Sequence, residues 1–444
     1  MIMETQKKEK GRFRNSISLK LIVVISLSLL LLIPSFMVRE LIDERDSRKR
    51  ETINEVTAKW GTQQTIAGPI LVIPYTVREY YTNGTYNELD KYFHILPSEL
   101  EIKGHLKPDL KRRGIYEVII YNSNFILNGS FTAKDLKSKP SKYHKIFWDE
   151  ARLVVGLSDL RGVTKNIELT WNNVHTNFSP GDGGCTITTS GINSEVEVLQ
   201  DIDYNFDIKI DLNGSEAIFF QPAGNTTVVN LSGAWNTPSF DGGFLPVNSH
   251  VTDTNFTANW SVISMNRTYP QTFTSDEYDE YHQYQHLGVR LLMPVDTYQK
   301  SERSVKYSFL FIALTFLVVF FSEILGKKRV HAVQYLIIGL GLIIFYSLLI
   351  ALAEHMQFNL AYLLASFVII SMIAAYIQAI FRRHKTTLTV AGMLIILYLF
   401  LFTILQIADY ALLLGNIGLV LILGIVMIYS KKIDWYGEQN GKSE

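Results

Sequence analysis

Three ionisable residues, Glu354, His355 and Asp409, interrupt a stretch that is otherwise almost free of charge. Two carboxylates and an imidazole could pass protons or hold an ion, and ionisable groups inside apolar runs carry functional weight by default. Glu323, Gln378 and Gln406 belong to the same set. Glu323, Glu354, His355 and Asp409, however, fall at the ends of apolar runs, where water is near and a charge costs little. Glu354, His355 and Asp409 are therefore read as a candidate polar cluster at the outer rim of a membrane bundle. The alternative is that each faces water alone.

Elsewhere the chain offers little that could do chemistry. Cys185 is the sole cysteine, which excludes an intramolecular disulfide and any cysteine-pair metal site. It follows Gly181-Asp182-Gly183-Gly184, a run able to cradle phosphate but read as a turn because no helix follows it. His282 and His286 share the spacing of two metal ligands on a helix, yet they sit in a Tyr-rich polar segment read as a surface loop. GxSxG, HExxH, GxxxxGK[ST] and GxGxxG do not occur. The reading is a non-enzyme with no cofactor and no metal.

These residues must be positioned by apolar elements, and composition says so. Hydrophobic residues make up 48% of the chain and charged ones 19%, against about 25% charged in soluble domains. Lys+Arg and Asp+Glu both count 42, which excludes a nucleic-acid partner recruited by bulk basicity. A basic leader (1–20) precedes an apolar run at 21–38, long enough to cross a bilayer core of about 30 Å. It lacks a small-x-small cleavage signature and reads as an uncleaved anchor. Five more spans are expected at 307–325, 330–353, 356–381, 386–408 and 410–430, with a tail at 431–444. Lys327-Lys328-Arg329, Arg382-Arg383-Lys385 and Lys431-Lys432 then fall on the side of the leader, as the positive-inside rule requires. Both termini are expected in the cytoplasm.

The segment 39–306 is thereby expected outside the cytoplasm, with 27 Lys+Arg against 34 Asp+Glu. Its start reads as the first helix continuing out of the membrane, and the rest as strands. Pro69 and Pro74 bracket an apolar run suited to a strand near a sheet edge. Asn83-Gly84 marks a hairpin. Residues 115–121 and 124–132 read as two strands. From Asp201 to Leu212, apolar and polar residues alternate with period two, and Asn213-Gly214 follows as a turn. The Asp residues of that stretch suggest calcium, but a solvated sheet face explains them better. Nine Asn-x-Ser/Thr sequons would matter as glycosylation sites in a eukaryotic lumen, but are read as turn and strand residues of an Asn-rich chain. The fold class is membrane α plus extracytoplasmic β: one anchor, a large sandwich-like β domain and a bundle of five helices.

Several short runs, in order, resemble the CreD family. They are Leu32-Ile33-Pro34, Gly68-Pro69-Ile70-Leu71, Ser158-Asp159-Leu160-Arg161-Gly162 and Phe244-Leu245-Pro246. Pro294-Val295-Asp296, Leu352-Ala353-Glu354-His355, Asp409-Tyr410-Ala411 and Ile433-Asp434-Trp435-Tyr436 continue the set. The resemblance implies a bacterial inner-membrane protein tied to envelope integrity and stress responses, with no catalytic residues to carry over. The expected partners are the lipid bilayer and an envelope protein or cell-wall component, with the oligomeric state open. The competing expectation is a small-molecule or lipid transporter or flippase.

Overall fold

The computed structural model describes residues 17–82, 85–188, 190–278, 285–293, 297–325, 328–407 and 410–431. The chain forms two compact units, one from residues up to Arg48 with those from Val295 onward, the other Lys49–Pro294.

In the first unit the apolar run and its polar continuation form α1 (Ile17–Leu30) and α2 (Leu32–Trp60). The interruption at Leu31 precedes Pro34, which has no N–H to offer the carbonyl of Leu30. Ser28 and Ser35 turn their hydroxyls back onto the carbonyls of Val24 and Leu31, so neither presents an unpaired group to its apolar surroundings. The later helices are α3 (Thr297–Lys306), α4 (Ser308–Leu325), α5 (Ala332–Ala353), α6 (Phe358–Phe381), α7 (His384–Gln406) and α8 (Ala411–Ser430). Their core is aromatic: the Phe345 ring meets Tyr398 edge-on at 4.6 Å and Tyr362 at 5.4 Å. Gly339 lets α5 close on Leu31, whose side chain would lie 2.1 Å from a Cβ at that position.

Six spans exceed what the described residues support. Four helices are long and apolar enough to cross a membrane, or five when α3 and α4, bent by 43°, count as one. The described apolar part of α8 is Leu413–Ile425, about 20 Å of rise against about 30 Å of hydrocarbon. α3 itself lies where the polar β domain was expected to continue to 306. Its charges hide a helical period that buries Tyr298, Ser301, Ser304 and Val305 while Arg303 and Lys306 face out.

The second unit carries the sheets. Its strands are β1 (Gln64–Tyr80), β2 (Tyr86–Ile95), β3 (Glu99–Arg113), β4 (Tyr116–Phe131), β5 (Lys145–Ile146) and β6 (Arg152–Leu157). Then come β7 (Glu168–Trp171), β8 (Val174–Asn177), β9 (Ser179–Pro180), β10 (Gly191–Glu195), β11 (Tyr204–Ser215) and β12 (Ala217–Gln221). The last are β13 (Thr226–Gly233), β14 (Pro238–Gly242), β15 (Asn248–Val251), β16 (Phe256–Ile263), β17 (Thr272–Thr274) and β18 (Leu287–Leu291). One sheet follows the order β14-β18-β12-β1-β6-β10-β9, with β2, β5 and β17 branching from it. The other follows β15-β16-β13-β3-β4-β11-β7-β8. A single apolar core, with Ile66, Phe125, Leu127, Ile208 and Trp260 among its buried residues, draws on both sheets.

Two local expectations are corrected here. β1 is central rather than near an edge, because the register shift between Ala67 and Ile70 places Pro69 where no ladder N–H is needed. Asn213-Gly214 is not a turn: β11 runs through it, paired with Asn122 and Tyr121, and the chain turns only at Glu216, whose φ is +59°. The two runs around Asn122 and Ser123 are one strand, β4. The alternation along β11 does bury Tyr204, Phe206, Ile208, Ile210 and Leu212. β1 and β2 pair as far as Tyr80 and Tyr86, while Asn83 and Gly84 lie outside the described residues.

Candidate functional site

The helical unit holds two polar clusters near opposite ends of α5. Glu354 caps α5, and its carboxylate accepts a hydrogen bond from the Tyr298 phenol at 3.1 Å. Arg45 Nε, on α2, stands 3.7 Å from the same oxygen, and the Glu354 side chain is 10% exposed. Beside it, Lys300 Nζ donates to Gln406 at 2.9 Å and Gln406 donates to Asn359 at 2.6 Å. Arg39 reaches Glu302 at 3.4 Å. α3 thus brings Tyr298, Lys300 and Glu302 to residues on α2 and α7 and to the cap of α5, with Lys300 Nζ also 5.4 Å from the Phe358 ring of α6. Glu354 therefore engages α2 and α3, His355 is exposed, and Asp409 lies outside the described residues.

The second cluster centres on Glu323 of α4, whose side chain is buried. One carboxylate oxygen pairs with Lys20 of α1, and the other accepts from the Tyr335 hydroxyl of α5 at 2.9 Å. Nineteen residues of helix separate Tyr335 from Glu354, a rise of about 28 Å. The two clusters are thus spaced like the two faces of a bilayer core. Each joins the N-terminal helix to the C-terminal set by a charged contact.

In the sheet unit, polar construction concentrates at Asp159. Arg161 Nε and Nη2 donate to its two oxygens, both at 2.9 Å, and Thr62 N and Oγ1 donate to Oδ2, both at 3.0 Å. The Arg161 guanidinium holds this carboxyl well below the usual range, against the opposing effect of burial. Arg161 Nη1 also donates to the carbonyl of Ala58 at 2.7 Å, and Gln64 Nε2 to those of Asp159 and Asn213. Gly162 has no room for a side chain, since a Cβ would stand 2.2 Å from the Asn213 carbonyl oxygen. This arrangement fastens the C-terminal turn of α2 to β1 and β11. Residue chemistry alone did not single it out; the run Ser158 to Gly162 was visible only as a likeness.

The other chemical candidates are quiet. Burial pushes the Cys185 thiol up to about 12, which keeps it protonated at neutral pH. His94, stacked on Phe273, is pushed down to about 4 by burial, and its Nε2 accepts from Thr186 N at 3.3 Å. His286 packs its ring edge-on against Phe219, while His282 lies outside the described residues. Asp211 takes Lys165 at 2.5 Å and Asn124 as partners. Among the described residues no three His, Cys, Asp or Glu gather as a metal group.

Comparison with known proteins decides the family. The family described as "Inner membrane protein CreD" matches residues 16–436, nearly the whole chain. The chain belongs to the CreD family. A curated relative, Inner membrane protein CreD of Escherichia coli (strain K12), is 30% identical over 421 residues, covering 92% of this chain and 91% of that protein. Among solved structures, an M1 zinc metallopeptidase from Deinococcus radiodurans overlaps 44% of this chain and 42% of its own at 7% identity and a TM-score of 0.21, too low to bear on the fold. Read as a CreD protein, the chain places the resembling runs at structural junctions. Ser158 to Gly162 forms the Asp159 fastening, Leu352 to His355 holds the Glu354 cap, and Pro34 follows the helix break at Leu31.

Proposed function

We propose that this CreD-family protein is a non-enzymatic component of the bacterial inner membrane that supports envelope integrity, with its sheet unit in the periplasm engaging an envelope partner. The proposed threading has six spans and both termini in the cytoplasm, in keeping with the basic clusters around Lys328 and Arg382. The observation that carries the reading is the insertion itself. A unit with two sheets and one shared core is set into the sequence between the apolar helices of an inner-membrane family. Such a unit has a core of its own and offers its outer surface to a partner.

A second reading, transport of a small polar solute or lipid, is favoured by one observation. The buried hydroxyls of Ser301, Ser304, Thr315, Tyr346 and Tyr398 reach no hydrogen-bond partner among the described residues. Buried polar groups are normally paired, so such a set fits a polar guest passing between helices. Full-length protein in liposomes separates the two readings. Sedimentation with isolated cell-wall sacculi, without solute uptake, is the expected result; uptake without sedimentation overturns the first reading in favour of the second.

A further inference from the structure

The two sheets end side by side at one margin of the second unit. β8 is the edge strand of one and β9 of the other. Thr176 on β8 and Ser194 on β10 bridge the gap, their hydroxyl oxygens 3.3 Å apart. Over this seam opens a cleft of about 920 Å³, near the upper end of the 300–1,000 Å³ common for small-molecule sites. Tyr92, Arg152, Asn177, Asp182, Asn193 and Glu195 line it, with the loop Gly181-Asp182-Gly183-Gly184.

We propose that this cleft binds a hydroxyl-rich, uncharged saccharide of a few rings. Tyr92 supplies an aromatic wall. Its ring lies so close to Gly184 that a Cβ there would stand 2.4 Å from it, so the loop carries no side chain at that point and the ring remains partly exposed. Sugar rings present C–H faces that pack on an aromatic face, and rims of hydroxyls that pair with amides, carboxylates and guanidinium groups. Those groups are the ones present. The Arg152 guanidinium is partly exposed, with its Nη2 3.4 Å from the exposed Glu195 carboxylate.

The same residues argue against other occupants. An anion such as phosphate would face Asp182 and Glu195. A peptide added to the sheet edge needs a row of free backbone groups. Here Pro180 has no N–H, Gly181 N is bonded to Gly191 O at 2.9 Å, and Gly181 O accepts from the Asn193 amide at 3.1 Å. On the β9 side, recognition is left to side chains.

The idea deepens the proposed envelope role and rests on it only for where the sugar comes from. The probe is chitotetraose titrated into the full-length protein in nanodiscs, free of sugar-headed detergent, with maltotetraose, inorganic phosphate and a cell-wall stem peptide in parallel. The expected result is saturable binding of a saccharide that Tyr92→Ala weakens roughly tenfold and Tyr92→Phe leaves nearly intact. Glu195→Gln, at an exposed side chain, is expected to weaken it as well and serves as the deciding variant if Tyr92→Ala unfolds. No saturable saccharide binding up to about 10 mM, binding unchanged in both Tyr92→Ala and Glu195→Gln, or a response to phosphate or peptide alone overturns the proposal. Sacculus retention without saccharide binding would sink this inference and spare the envelope role. Saccharide binding without retention does the reverse.

Discussion

Lys20 and Glu323, separated by 303 residues, meet as an ion pair in which the carboxylate side chain is 3% exposed. Tyr335 donates to the second oxygen at 2.9 Å, so three helices converge on one buried charge. The pair contributes chiefly by what its loss would leave behind. A buried carboxylate without its cation is expensive, whereas replacing both partners by apolar groups is not.

Lys20→Met is accordingly expected to destabilise the helical unit by about 2–3 kcal/mol, below the usual 3–5 because Lys20 is partly solvated. Lys20→Met combined with Glu323→Leu should regain most of that loss. Thermal unfolding of the full chain in detergent provides the measurement, and equal losses in single and double variants would count against a buried-charge role.

At the other end of α5, Arg45→Ala and Glu354→Gln are expected to be non-additive, with a coupling of about 0.5–1 kcal/mol given the 3.7 Å separation and a partly exposed guanidinium. His355→Ala, at an exposed position, should add independently to either. A double-mutant cycle on unfolding midpoints tests both, and coupling of His355 with Glu354 stronger than that of Arg45 would reverse the assignment.

Asp159→Asn removes the bidentate acceptor of Arg161 and is expected to cost about 2–4 kcal/mol, since hydrogen bonds to a charged group contribute about 1.5–3 each. Cleavage by protease near residues 58–63 should rise with it. Asp211→Asn, whose Lys165 partner is exposed, should cost less than about 1 kcal/mol. Similar costs for the two would mean that Asp159 is not the fastening point.

Acid should weaken the sheet unit through His94. Its folded pKa, about 4, lies below the ordinary value of 6.5 because the ring is buried. The unfolded chain therefore binds the proton first as pH falls. Stability is complete above about pH 6.5 and declines toward pH 4, by roughly 3 kcal/mol in all. His94→Phe should flatten that slope between pH 6.5 and 4; a slope unchanged by the substitution would assign it to other groups.

The threading has its own test. A periplasm-active reporter fused near Asn225 is expected to be active and one after Lys432 silent. Activity at both sites, or the reverse pattern, would overturn six spans with both termini inside.

What the sequence determined by itself follows from local physics. An uncharged run must leave water, so the apolar helices were legible from 21–38 and from 330 onward, and period-two alternation fixed which face of β11 is buried. The family was legible too, in short ordered runs. Tertiary structure decided everything that depends on a partner distant along the chain. β1 reads as an edge strand because of its prolines, yet pairing with β12 and β6 makes it central, with a bulge absorbing Pro69. α3 reads as polar domain surface until Tyr298 is seen to face Glu354. Gly181 to Gly184 reads as a turn, which leaves open that it roofs a cleft between two sheet edges. Glu323 reads as a boundary charge, and only folding brings Lys20 to it across 303 residues. Periodicity records how each residue stands toward the core, but not which residue stands opposite, because burial is set by short-range pattern while pairing is set by the path of the whole chain.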